Sequence, residues 1–163
     1  MQQRIVCSLV FPVIIVTALI ARAQTAPAPA YGMPIGIESA KRVAVAAIAE
    51  ARKNSWTMAI AVVDTAGNLV YFEKMDGTQT GSVNVAIEKA RSAALFRRPT
   101  KSFQDTVAQG GVGLRMLGLP GAVPVEGGVP LIEAGKIVGA IGTSGGTSEQ
   151  DGQSAQAGVN VLK

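Results

Sequence analysis

Five consecutive apolar residues, Ala59-Ile60-Ala61-Val62-Val63, constrain this chain more than any other stretch. A half-buried strand alternates apolar and polar side chains, so an unbroken run of small and β-branched residues predicts a strand covered on both faces. The loop Asp64-Thr65-Ala66-Gly67-Asn68 is rich in turn formers, and a second short run follows it. Thr57 to Asp64 and Asn68 to Glu73 therefore read as a β-hairpin. A sheet with such a strand is central, and helices must lie on both sides of it.

The rest of the chain supplies those helices. From Ile37 to Lys53, Ala40, Val43, Ala44, Ala47, Ile48 and Ala51 recur at spacings of three and four among charged residues, the pattern of an amphipathic helix. A second helix is predicted from Ser82 to about Phe96, with Ser82 as its cap and Pro99 stopping it soon after. Lys101 to Gln109 adds a short helical piece, and Gly110-Gly111-Val112-Gly113 reads as a turn or loop. Val129 to Ala134 and Ile137 to Thr143 form a second hairpin around Gly135-Lys136, with Pro130 suited to a strand start or an edge. Gly139 and Gly142 thin its last strand: they could admit a ligand or a neighbouring backbone, while the plain reading is a bulge or close helix packing. Ser148, with Asp151 three residues on, reads as the cap of a closing helix carrying Ala155, Val159 and Leu162. This order predicts an α/β (α+β) layer fold with an antiparallel sheet, in one domain of about 130 residues.

Arg4, the apolar run from Ile5 to Ile20 and Ala21-Arg22-Ala23 follow the charged, apolar and small-residue order of a secretory signal. The run is short for a spanning helix, which needs roughly 20 residues, and Pro12 interrupts it. The expected organisation is a signal peptide at 1–23, a flexible Pro/Ala linker at 24–34 and the domain at 35–163. The mature protein is then periplasmic or secreted and free of the membrane. Cys7 leaves with the signal. The chain has 15 basic and 11 acidic residues, and loss of Arg4 and Arg22 leaves 13 against 11. A charge that small gives no support to nucleic-acid binding.

Several motifs fail on their chemistry. Gly142-Thr143-Ser144-Gly145-Gly146 matches the serine-hydrolase elbow, but the chain contains no histidine to take the serine proton. Pro130 occupies the position where a phosphate loop ending at Gly135-Lys136 needs glycine, and Met116 replaces the third glycine of a dinucleotide fingerprint at Gly111-Val112-Gly113. Zinc lacks its usual thiolate and imidazole ligands. No metal site is expected. Lys89, Arg91, Arg97, Arg98 and Lys101 form a basic cluster opposed only by Glu88. It suits either the carboxylates of a ligand or a solvated helix C-terminus.

Taken in order, Val62-Val63-Asp64-Thr65-Ala66-Gly67-Asn68-Leu69-Val70, Lys74-Met75-Asp76-Gly77 and Ala86-Ile87-Glu88-Lys89-Ala90-Arg91-Ser92-Ala93 resemble the GlcG/HbpS haem-binding family, found also as the C-terminal domain of PduO-type proteins. Gly127-Gly128-Val129-Pro130-Leu131 and Ile137 to Gly145 are similar to that family's closing hairpin. The resemblance covers about Ile37 to Lys163. It implies a sheet of about five strands, assembly into homo-oligomers, and binding of haem or a related tetrapyrrole in some members. Lys74 stands where the family often has arginine, and Ser92 where it often has threonine.

Haem iron is usually held by His, Cys, Met or Tyr. Here the thioethers and phenols are Met33, Met58, Met75, Met116, Tyr31 and Tyr71, with Ser92 or Lys89 as weaker contacts. The leading expectation is an exported binding protein with Met75 or Ser92 near the iron and Lys89, Arg91 or Arg97 near the propionates. Lys89, Ser92 and Phe96 fall at spacings of three and four, so they share one helix face. On that reading Lys89→Glu weakens an anionic tetrapyrrole and leaves the fold intact. Two alternatives stand beside it: an enzyme acting on haem or a small organic acid through Asp64, Asp76 or Lys89, and an oligomeric interaction protein without catalysis.

Overall fold

The computed structural model describes residues 27–162. The expected signal peptide and the first residues of the linker lie outside that range. The elements run α1 (Ile37–Lys53), β1 (Ala59–Val63), β2 (Leu69–Lys74), α2 (Ser82–Phe96), α3 (Lys101–Ala108), a 3-10 helix (Gly111–Gly118), β3 (Gly128–Glu133), β4 (Lys136–Ser144), α4 (Ser148–Val159) and a final 3-10 turn (Asn160–Leu162). Among the described residues four strands form one antiparallel sheet in the order β2-β1-β4-β3, where the resemblance implies about five. Backbone before α1 adds a short parallel pairing instead. Gly32 N–H donates to the Ile137 carbonyl, Ile137 N–H to Ala30 and Ile35 N–H to Val138.

Both hairpins are present, and all five residues of β1 are buried. Alternation along β1 divides the core in two. Met58, Ile60 and Val62 pack under α1 and α4 with Val43, Ile48, Leu131 and Ile141. Ala59, Ala61 and Val63 face α2 with Ala86, Ala90, Ala93, Ala94 and Ala140. Pro130 lies on the edge strand β3, where the sheet loses least from its missing N–H. The β3–β4 turn places Ala134 and Gly135 both at positive φ, the two-residue geometry that matches strand twist.

Gly142 is where α2 touches the sheet. A Cβ built there overlaps the Ala86 carbonyl and the Ala90 amide, so close helix packing accounts for this glycine.

Three local expectations are corrected. Ser82 does not cap α2: the cap position is Gly81, no side chain caps it, and the Ser82 hydroxyl is buried without a partner. Thr147 caps α4 through a capping box with Gln150, one residue ahead of the Ser148 and Asp151 pairing. The glycine-rich stretch after α3 is a 3-10 helix over 111–118, held by its packing on α3, with no buried residue.

Candidate functional site

The side chains singled out on α2 do share a face, but that face is turned into the protein. Segment 119–128 and α3 cover it. Val123 N–H donates to Ser92 Oγ at 3.0 Å, Gly121 lies against the Phe96 ring, and Phe96 meets Phe103 edge-on at 5.3 Å between centroids. Gly128 and Thr100 are joined by two bonds, the Thr100 N–H to the Gly128 carbonyl and the Gly128 N–H to the Thr100 hydroxyl.

Lys89 is 1% exposed, and its ammonium pairs with Asp151 Oδ2 at 2.6 Å and donates to the Thr143 carbonyl at 3.3 Å. It reaches from α2 on one face of the sheet to the first turn of α4 on the other. The path runs past Gly127, where a Cβ would stand 2.9 Å from the Lys89 nitrogen. Burial pushes the Asp151 carboxyl above the ordinary aspartate range, opposed by Lys89 and by the Gly146 and Gly145 amides. The Thr143 hydroxyl donates to the Asp151 carbonyl, which closes the network. Lys89→Glu would set two buried carboxylates against each other. The expectation that this change spares the fold is therefore corrected.

Arg91 is exposed, pairs with Glu88 at 2.7 Å and donates to the Gly67 carbonyl. Arg97 ends α2 in a left-handed conformation, and its guanidinium lies over the Tyr31 ring at 5.7 Å. The Tyr31 hydroxyl donates to the carbonyls of Ala94 and Leu95. Arg98 sits over the Phe103 ring at 5.6 Å. Arg97, Arg98, Tyr31, Phe96 and Phe103 thus gather at the C-terminal end of α2. Met75 is elsewhere: it packs on the cluster beneath α1 and α4, across the sheet from α2. Met58 is fully buried there, and the Tyr71 hydroxyl donates to Glu73.

Sequence reasoning missed Asp151 as the partner of Lys89, and Tyr31 and Phe103 as part of the α2 terminus. An acid in a helix's first turn looks the same whether it caps or pairs at long range. A charge in a small-residue stretch such as Ala86 to Ala94 was the available signal. Among the described residues no group of three or more His, Cys, Asp or Glu is placed to hold a metal, and no helix is long and apolar enough to cross a membrane.

A four-stranded antiparallel sheet carrying α1 and α4 on one face and α2 on the other defines a small α+β domain. The family model described as haem degrading protein HbpS-like matches residues 35–160, and the chain belongs to that family. It is 39% identical to Protein GlcG of Escherichia coli strain K12 over 107 residues, which cover 66% of this chain and 78% of that one. Its fold is similar to a double mutant of Streptomyces reticuli HbpS, with a TM-score of 0.73 and 31% identity, over 86% of this chain and 99% of the other. It is also similar to the PduOC:haem complex, with a TM-score of 0.72 and 25% identity, over 80% of this chain and 96% of the other.

Proposed function

We propose that this protein is exported, assembles with copies of itself and binds haem or a related tetrapyrrole at the C-terminal end of α2. The observation that carries the reading is the association there of exposed arginines with aromatic rings. Arg97 and Arg98 stand over Tyr31 and Phe103, Phe96 is half-buried beside them, and the apolar segment 111–119 continues from α3 with Val112, Leu114 and Leu117 exposed. A flat apolar ring with two acidic tails needs an apolar wall and a few fixed cations. Arginine is the cation best matched to carboxylates.

The donor set fits the rim of such a ligand better than its centre. Tyr31 and Tyr71 spend their hydroxyl protons on other acceptors, and Met58 and Met75 lie across the sheet, which leaves the exposed Met33 and the half-buried Met116 as the remaining thioethers among the described residues. Bound haem would bring a redox-active iron. The chain's own residues hold the propionates and wall off one side of the ring. Lys89 serves this site indirectly, by fixing α2, and Ser92 lies beneath segment 119–128.

Membership of a family described as haem degrading, and similarity to a protein solved as a haem complex, support the ligand class. Haemin titrated into residues 24–163 should shift the Soret band saturably, and Arg97→Glu with Arg98→Glu should weaken binding at least about tenfold. Unchanged affinity in the folded double variant would remove this site. The family description also favours a second reading, turnover of haem. Haem that stays intact under reductant while bound excludes it. Export is tested by the N-terminus of protein recovered from cells, expected at Gln24, and assembly by light scattering of the purified protein.

A further inference from the structure

The two helices packed against β4, α2 and α4, begin differently. Helix α4 starts with a complete capping box and carries Glu149 and Asp151 in its first turn. Helix α2 has fifteen residues, no side-chain cap and no acid in its first turn. Among the described residues, no side-chain cap and no first-turn acid compensates its positive end. At that end lie Thr78, 6% exposed, and Ser82, 1% exposed. Their hydroxyls are the two fully buried side-chain polar atoms among the described residues that have no hydrogen-bond partner. Buried hydroxyls are rarely left so, because the desolvation penalty is not recovered.

The fold places these groups at one corner. Ser82 lies one helical turn before Ala86, whose carbonyl meets Gly142 of β4. Ser144, also buried, is two residues further along that strand on the same face, and it pairs with Ala59. Ala59 in turn pairs with Lys74, the last residue of β2. The turn bearing Thr78 is tied to the same end by Thr78 N–H to the Met75 carbonyl and Met75 N–H to the Met58 carbonyl.

From this arrangement we infer that the N-terminus of α2 binds a small carboxylate anion, with Thr78 and Ser82 as hydroxyl donors and Lys74 as the countercharge. Helix N-termini favour anions, and two hydroxyls can each donate to a carboxylate oxygen. One cation suits a single negative charge. The exposed Asp76, two residues before Thr78, disfavours a dianion, while Glu73 is engaged by the Tyr71 hydroxyl across the sheet. Ala59 and Ala86, both fully buried, belong to the core between α2 and the sheet next to this corner, so the carbon chain must be short. The site is at the opposite end of α2 from Arg97 and stands independently of the haem reading.

The test is an amide chemical-shift titration of residues 24–163 with sodium acetate, run against sodium chloride at equal ionic strength. Acetate should move the Gln79 to Asn84 amides saturably with millimolar affinity, and Thr78→Val with Ser82→Ala should weaken that response by at least about tenfold. The double variant exchanges unpartnered hydroxyls for methyl groups, so its fold survives, as its own spectrum verifies. Three results would overturn the inference. They are no saturable shift with acetate, meaning that the hydroxyls meet water only, an equal response in the double variant, or a response to inorganic phosphate and none to acetate.

Discussion

The two faces of the sheet are held by opposite means. Under α1 and α4 the core is built from large side chains, among them Ile48, Met58, Ile60, Leu131 and Ile141, and its strength comes from the volume they fill. Under α2 the core is nearly all alanine, and the helix sits so close that Gly128 and Gly142 touch its backbone. Little apolar area is buried per residue there. The second face gains by backbone approach and by one ion pair that passes the end of the sheet to the first face. The first face should therefore suffer from smaller side chains, and the second from larger ones.

The largest effect is expected at the link between the faces. Lys89→Met leaves Asp151 buried without its countercharge and should cost about 3–5 kcal/mol, most of it recovered by adding Asp151→Leu. Chemical denaturation of the three variants checks this. The pH dependence has a definite sign. Burial holds the folded Asp151 carboxyl above the ordinary aspartate range, so at a pH between its unfolded and folded pKa the folded state keeps a proton that the unfolded state has released. Stability from this group is full below the unfolded pKa and falls as pH rises through the folded one. Removing Lys89 raises the folded value further, so Lys89→Met should be less destabilised near pH 4 than near pH 7.

Next comes Gly142→Ala, the smallest enlargement on the α2 face. Its Cβ meets backbone that no rotamer change can move, and the cost should reach about 3 kcal/mol. Leu131→Ala, the reverse change on the other face, should cost about 2–4 kcal/mol by leaving a cavity. If Gly142→Ala proves neutral in thermal melts, the claim of close approach fails. The helix starts give the smallest contrast. Thr147→Ala should cost about 1 kcal/mol by removing the α4 cap. Ser82→Ala, in buffer without carboxylates, should be neutral or slightly stabilising, because it removes an unmet hydroxyl.

Local pattern was enough to place α1 and α2, whose bounds match the periodicity, because both helices bury one stripe and expose the rest. It was also enough for β1, since no peripheral strand carries five apolar residues in a row. The site was less legible. Helical spacing correctly put Lys89, Ser92 and Phe96 on one face, but spacing carries no information about what lies against that face. Segment 119–128 does, and it arrives about thirty residues later. Asp151 was misread for the same reason: its partner is 62 positions away, while a plausible local role stood three residues off.

The Lys89–Asp151 contact also bears on the order in which the chain assembles. One partner belongs to the half containing β1, β2 and α2, the other to the half containing β3, β4 and α4. Neither charge gains by leaving water until both halves have docked, so the pair has no reason to form before they meet. Interactions absent from the transition state leave the folding rate alone and slow its reverse. A pair made only on docking is a latch, expected to lengthen the lifetime of the folded molecule without guiding the chain to it.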